Sequence, residues 1–271
     1  KEDFSVLKYI DDDGLFVEPE YYVPIIPMVL VNGMVGIGTG WSTTIPQYNP
    51  KEIIKNIKRR LNEGSYHSMQ PYYRGFKGKI EQIGENMFKS NGIYSYKNDN
   101  TLIVDELPIG HWSDKYKEYL ETLIIDSKTT DTKKQKKQII RYYNSHCTDT
   151  LVKFEIVFPK DELYYLTQNI EKFEKLFKLS STISTGNMVL HNKDGKLIKY
   201  NTVEEILKEF IDLRLEYYQH RKDFMMGELQ KDINILEIKI RFIMEFIEGK
   251  IKISNVKKTE IIEQLEVGEY P

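Results

Sequence analysis

The spacing of apolar residues changes several times along the chain, and each change marks an element. Pro24, Pro27 and Pro46 bracket the apolar residues 25–31. Proline disfavours helix in the residue before it, so this stretch predicts a strand or extended segment running into a glycine turn. Asn49-Pro50 then opens a helix, because asparagine can cap it and proline fits its first turn. Ile53, Ile54, Ile57 and Leu61 supply its apolar face at helical spacing. Residues 70–107 read as β-structure, with Gly75, Gly78, Gly84 and Gly92 between short alternating runs and a clear strand over 101–107. Pro108 ends that strand. A helix starts near Trp112, with Ser113 a candidate cap and Tyr116, Tyr119, Leu120, Leu123 and Ile124 as its stripe.

Residues 152–158 alternate strictly, which predicts a half-buried strand, and 161–177 predict a helix. Phe177-Lys178-Leu179 leads into the polar segment SSTISTGN, followed by Met188-Val-Leu and a hairpin-type turn at 192–195. From Thr202 the pattern becomes helical to about Glu248, opened by a capping box of Thr202 with Glu205 and ended by Gly249. An unbroken helix of that length spans roughly 65–70 Å, which predicts a strut or coiled coil. A break near Gly227 or after Lys231 is allowed by the drifting spacing. The fold class expected is α+β: a mixed β-sheet domain followed by a long helical, coiled-coil arm.

One run organises the rest. In VNGMVGIGTGWST, Gly33, Gly36, Gly38 and Gly40 fall within eight positions with Ile37 among them. Glycine allows close backbone approach and φ > 0. A bulky apolar residue held by such a turn is either plugged into the protein or presented to something outside it. The order of the glycines is not that of a dinucleotide fingerprint, and no lysine follows to make a phosphate loop. Asp11-Asp12-Asp13-Gly14 reads as a solvated turn, since the ligand alternation of a calcium loop is missing.

Composition bounds the chemistry. The 271 residues are 40% hydrophobic and 30% charged, which suits a folded chain of one large or two smaller domains. A lone cysteine, Cys147, excludes an internal disulfide and a cysteine-based zinc site. The five histidines lack metal-ligand spacing. No leader-like start or membrane-length apolar run is present, and the opening lysine suggests a piece of something longer.

Net charge is −2, but it is unevenly placed. Residues 51–100 carry 10 basic and 5 acidic side chains, just after the glycine run. Attraction to a polyanion depends on where charge lies, not on its total. Lys51, Lys55, Lys58, Arg59 and Arg60 make the 50–63 helix either a solvated face or a phosphate-tracking one. QPYYRGFKGK interleaves aromatic and basic residues, and Arg74 and Lys77 are candidate DNA contacts from charge alone. The lysine-rich stretch 126–137 reads as a surface loop.

The run EPEYYVPIIPMVLVNGMVGIGTGWSTTIPQYNP resembles the corresponding segment of type IIA DNA topoisomerases, in their eukaryotic and large-DNA-virus form. PYYRGFKGKIE, IVDELPIGHW, FKLSSTISTGNMVL, DGKLIKYNTVEEIL and LRLEYYQHRKDF extend the similarity over nearly the whole chain. The resemblance implies the C-terminal part of a DNA breakage-reunion core. Residues 1–48 would finish a winged-helix region, 49–201 would form the tower domain, and 202–271 the outgoing coiled-coil arm towards the exit gate.

It further implies that Ile37 inserts between base pairs as a wedge. Trp112 and the segment Lys178, Leu179, Ser180, Ser181, Thr182, Ile183, Ser184, Thr185, Gly186 and Asn187 would lie at the DNA. Gly110-His111 stands where relatives often carry a basic residue. The cleaving tyrosine would precede Lys1, so no catalytic or metal-binding residue is assigned here, and Arg141-Tyr142 is a coincidental match. No cofactor is expected for this fragment; magnesium and ATP would serve the full-length enzyme. That enzyme would be a homodimer acting on double-stranded DNA in topological change and chromosome segregation, away from membranes. It would be nuclear, or cytoplasmic or virion-associated if viral. Two other readings stay open: a stand-alone architectural DNA-bending protein, and a helical scaffold that touches only protein.

Overall fold

A computed structural model describes residues 2–124 and 139–270. The lysine-rich stretch 126–137 lies outside the described residues. The chain divides into two compact units, Lys1–Ile25 with Ile211–Pro271, and Ile26–Phe210.

The first unit begins with a hairpin, β1 (Tyr9–Asp12) and β2 (Leu15–Pro19). Its turn carries Asp13 and Gly14 at positive φ, as the Asp-Asp-Asp-Gly run predicts.

The second unit opens with α1 (Met28–Asn32), β3 (Met34–Gly38), β4 (Trp41–Ile45) and α2 (Pro50–Glu63). Residues 28–32 are helical, not extended. Proline restricts the residue before it, whereas Pro27, at φ −69°, stands at the N-cap and leaves the residues after it free to coil. The α2 ends follow the sequence: the Asn49 side chain accepts from the Lys51 N–H, Pro50 takes the first turn, and Gly64 closes in the left-handed region at φ 73°.

Next come β5 (Lys79–Gly84), β6 (Met87–Asn91), β7 (Ile93–Asn98), β8 (Thr101–Glu106), α3 (Ser113–Leu123), β9 (Tyr142–Ser145) and β10 (Phe154–Val157). Then follow α4 (Glu162–Thr167), α5 (Ile170–Leu176), β11 (Ser180–Ser184), β12 (Met188–His191) and β13 (Leu197–Tyr200). Three readings are corrected here. Ser113 does not cap α3: Trp112 holds that position without a side-chain bond. The helix expected over 161–177 is two, because Asn169 leaves helical geometry and caps α5 through the Lys172 N–H. The SSTIS run, read as a polar connector, is a strand, because β6 supplies ladder partners for it, with Ile183 opposite Phe88.

Two antiparallel sheets result, ordered β7-β8-β10-β9 and β11-β6-β5. Alternate residues of the central strands, Leu102 and Val104 on β8 and Phe154 and Ile156 on β10, are fully buried. They pack with Tyr116 and Leu120 of α3 and with Phe173 and Phe177. Fully burying one such side chain contributes roughly 1.5–3 kcal/mol, so this cluster is the main source of stability for the unit.

The chain continues into α6 (Val203–Ile247) and α7 (Lys258–Val267). The Thr202 hydroxyl accepts from the Glu205 N–H, and the Glu205 carboxylate reaches back to the Asn201 N–H, one residue beyond the expected box. The break allowed at Gly227 does not occur: α6 is continuous over 45 residues. One glycine costs a helix only about 1 kcal/mol, which its neighbours offset. In the first unit, the buried Arg214 donates to the Asp3 carboxylate at 2.7 Å and to the Val23 carbonyl at 2.9 Å. Leu229, Ile233, Leu236, Ile240 and Ile243 of α6 are exposed.

Candidate nucleic-acid interface

The glycine run forms the β3–β4 hairpin, turning at Thr39-Gly40 with Gly40 at φ 81°. Ile37 lies near the tip, opposite Ser42, and is 92% exposed. Val35, two residues back and therefore on the same face, is 82% exposed. Of the two sequence alternatives for Ile37, plug or presentation, the hairpin takes the second. Gly38 is required by a neighbour: a Cβ there would lie 2.5 Å from the Trp41 indole nitrogen. The indole thus covers the backbone beside Ile37, and its ring meets His191 edge-on.

The outer edge of β4 is held by the turn after β11. The Asn187 carbonyl accepts from the Thr44 N–H at 2.8 Å. Its side-chain nitrogen donates to the Ser42 carbonyl at 3.1 Å and to the Ser42 hydroxyl at 3.0 Å. The Thr43 hydroxyl accepts from the Val189 N–H at 3.0 Å. At the other end of β11, the Ser181 hydroxyl donates to the Ile109 carbonyl at 2.8 Å, and the Ile109 N–H donates to the buried Ser90 hydroxyl. Trp112 follows three residues later and is 76% exposed. Ile37, Trp112 and the 178–187 segment therefore belong to one hydrogen-bonded assembly in the second unit.

Within that segment the side chains divide. Ser180 and Ser181 are half-buried, while Thr182 and Ser184 are exposed. Leu179, Ile183 and Thr185 are buried, which corrects their inclusion as side chains offered to DNA: strand alternation turns them into the protein. Lys178 has φ 49°, and its ammonium sits 3.8 Å from the centre of the Tyr119 ring. Gly186 donates its N–H to the Ser184 hydroxyl. Burial holds the His111 imidazole below its ordinary pKa; a contact with the Ile109 backbone opposes this and the nearby Lys178 charge adds to it. His111 is therefore neutral at pH 7, not a standing cation.

Arg74 and Lys77 are exposed on the irregular loop before β5, which is tied to the hairpin strand's exit by the Tyr72 N–H on the Gln47 carbonyl at 2.7 Å. Lys51, Lys55 and Lys58 are exposed on α2. Sequence reasoning missed Trp41, Ser42 and Thr43. Trp41 had a usable signal, an aromatic three positions after a glycine in a tight hairpin. Among the described residues, no group of three or more His, Cys, Asp or Glu is placed to hold a metal ion, and no helix is long and apolar enough to cross a membrane.

An α+β scaffold carrying an exposed apolar hairpin is what the comparisons place among the DNA topoisomerases. Residues 1–270 match the family model for the A-type subunit of DNA gyrase/topoisomerase IV, and the chain belongs to this family. It is similar to DNA topoisomerase 2 of Arabidopsis thaliana, 42% identical over 98% of the chain and 18% of the relative. It is likewise similar to DNA topoisomerase 2-beta of Homo sapiens, 41% identical over 97% of the chain and 16% of the relative. The chain thus spans less than a fifth of the length of these curated relatives. A crystal structure of the Plasmodium falciparum topoisomerase II DNA-binding, cleavage and re-ligation domain superposes with a TM-score of 0.84. That match has 38% identity and covers all of this chain and 36% of the other.

Proposed function

We propose that this chain is the DNA-bending portion of a type II DNA topoisomerase, and that Ile37 is the wedge. The observation that carries the reading is a nearly fully exposed isoleucine at a hairpin tip. Leaving it in water is unfavourable, and a stacked base step offers it an apolar slot. Unstacking one step costs a few kcal/mol, offset by contacts that the kinked duplex gains along the protein. Arg74, Lys77, Trp112 and the hydroxyls of Ser180, Ser181, Thr182 and Ser184 would hold the flanks through phosphates. A bent segment differs in energy from relaxed DNA, which lets the enzyme choose the strand it opens.

The full polypeptide would pass one duplex through another, relaxing supercoils and separating linked molecules, as a nuclear homodimer. The resemblance assigns strand cleavage, magnesium and ATP to other parts of that polypeptide. Nothing in the side chains here fits the metal, so no step is routed through it. The exposed stripe of α6 fits an arm that pairs with another helix.

The test is Ile37→Ala in the complete polypeptide, read by FRET between dyes at the two ends of a bound duplex. A smaller bend with folding intact is expected. An unchanged bend would remove the wedge role.

A further inference from the structure

The hairpin that carries Ile37 has little of its own to keep it in place. Two-stranded hairpins are marginal in water, and on β3 Met34, Val35 and Ile37 are all exposed. Its order must come from the free edge of β4. That edge is met by Asn187, whose carbonyl takes the Thr44 N–H while its side-chain amide reaches the Ser42 carbonyl and hydroxyl. Ser42 is the cross-strand partner of Ile37. One side chain, 145 residues away in sequence, therefore grips the residue opposite the wedge.

We infer that Asn187 is a positioning residue for Ile37: it fixes the pose of the hairpin instead of serving DNA directly. The inference rests on the wedge reading of Ile37. The amide suits the task because it presents a donor to the Ser42 carbonyl. A carboxylate of the same shape has none and would set oxygen against oxygen. The pairing also ties the hairpin to β11, and through Ser181 and Ile109 to the loop that carries Trp112. The two exposed apolar side chains are thereby held in one frame.

Asn187→Ala in the complete polypeptide tests this in two arms. Without DNA, amide hydrogen exchange over residues 34–45 should speed up about tenfold, the loss of one or two hydrogen bonds. Exchange in β8 and β10 should stay as it was. Unchanged exchange in the hairpin overturns the inference. With DNA, the FRET bend should fall to the Ile37→Ala level, and the double variant should bend no less than Ile37→Ala alone. Additive losses, or a full bend in Asn187→Ala where Ile37→Ala reduces it, overturn the inference. If Ile37→Ala itself leaves the bend intact, the wedge reading fails, and the exchange arm alone decides whether Asn187 holds the hairpin. Asn187→Asp, of equal size, replaces the alanine variant should that one lose the fold.

Discussion

The Tyr116 hydroxyl donates to the Phe177 carbonyl at 2.9 Å inside the core, joining α3 to the residue immediately before Lys178. Burial drives the Tyr116 pKa well above that of an ordinary phenol, so the hydroxyl remains a donor throughout the working pH range. The bond fixes where the 178–187 segment leaves α5. Tyr116→Phe leaves the Phe177 carbonyl buried without this donor. The expected loss is about 1–3 kcal/mol of unfolding free energy, measured by urea denaturation. A change below about 0.5 kcal/mol would show that the carbonyl finds another donor.

Gly38 and Trp41 are in direct contact, and a methyl group cannot be inserted between them without moving the indole. Gly38→Ala should expose the Trp41 ring and red-shift its fluorescence. The chain has two tryptophans, so the measurement is made in a Trp112→Phe background. An emission maximum that stays where it was would mean that the indole does not depend on the bare backbone.

Arg74 and Lys77 are exposed cations whose proposed task is to meet phosphates. Each phosphate neutralised contributes about 0.9 to the slope of log K against log salt. Arg74→Gln and Lys77→Gln should each flatten that slope by about this amount in duplex titrations. A loss of affinity that is the same at every salt concentration would point to a change in fold.

His111 makes the protein acid-sensitive. Its folded pKa lies below the ordinary 6.5, so an unfolded chain takes up its proton first as pH falls. The contribution of this group to stability is full above about 6.5 and is lost as pH falls through the depressed folded value. His111→Asn should therefore lose less stability than the parent between pH 7.5 and the acid limb, read as urea midpoints at each pH. Parallel curves for the two proteins would remove the assignment.

What could be read beforehand was mostly local. Asn49, Pro50 and Gly64 announce both ends of α2 because capping needs only neighbours in sequence. The strand over β10 was visible because its alternation is strict and both sides of it are apolar enough to count. The 178–187 segment was harder. Its serines and threonines suggest a loop, and only pairing with β6, nearly ninety residues earlier in the chain, makes it a strand and turns Leu179 and Ile183 inward. Ile37 stood out by its glycines, but whether it was plugged or displayed depended on packing that no local pattern records. The grip of Asn187 on Ser42 was invisible for the same reason: both are ordinary polar residues until the fold brings them together.

The Lys178 amine, laid flat against the Tyr119 ring, has a chemical consequence apart from any ligand. An ammonium shielded by an aromatic face reacts slowly with acylating reagents, whereas the lysines of α2 stand open to them. Differential labelling would thus leave this one amine as a native watermark, erased as soon as the α5–β11 corner loosens.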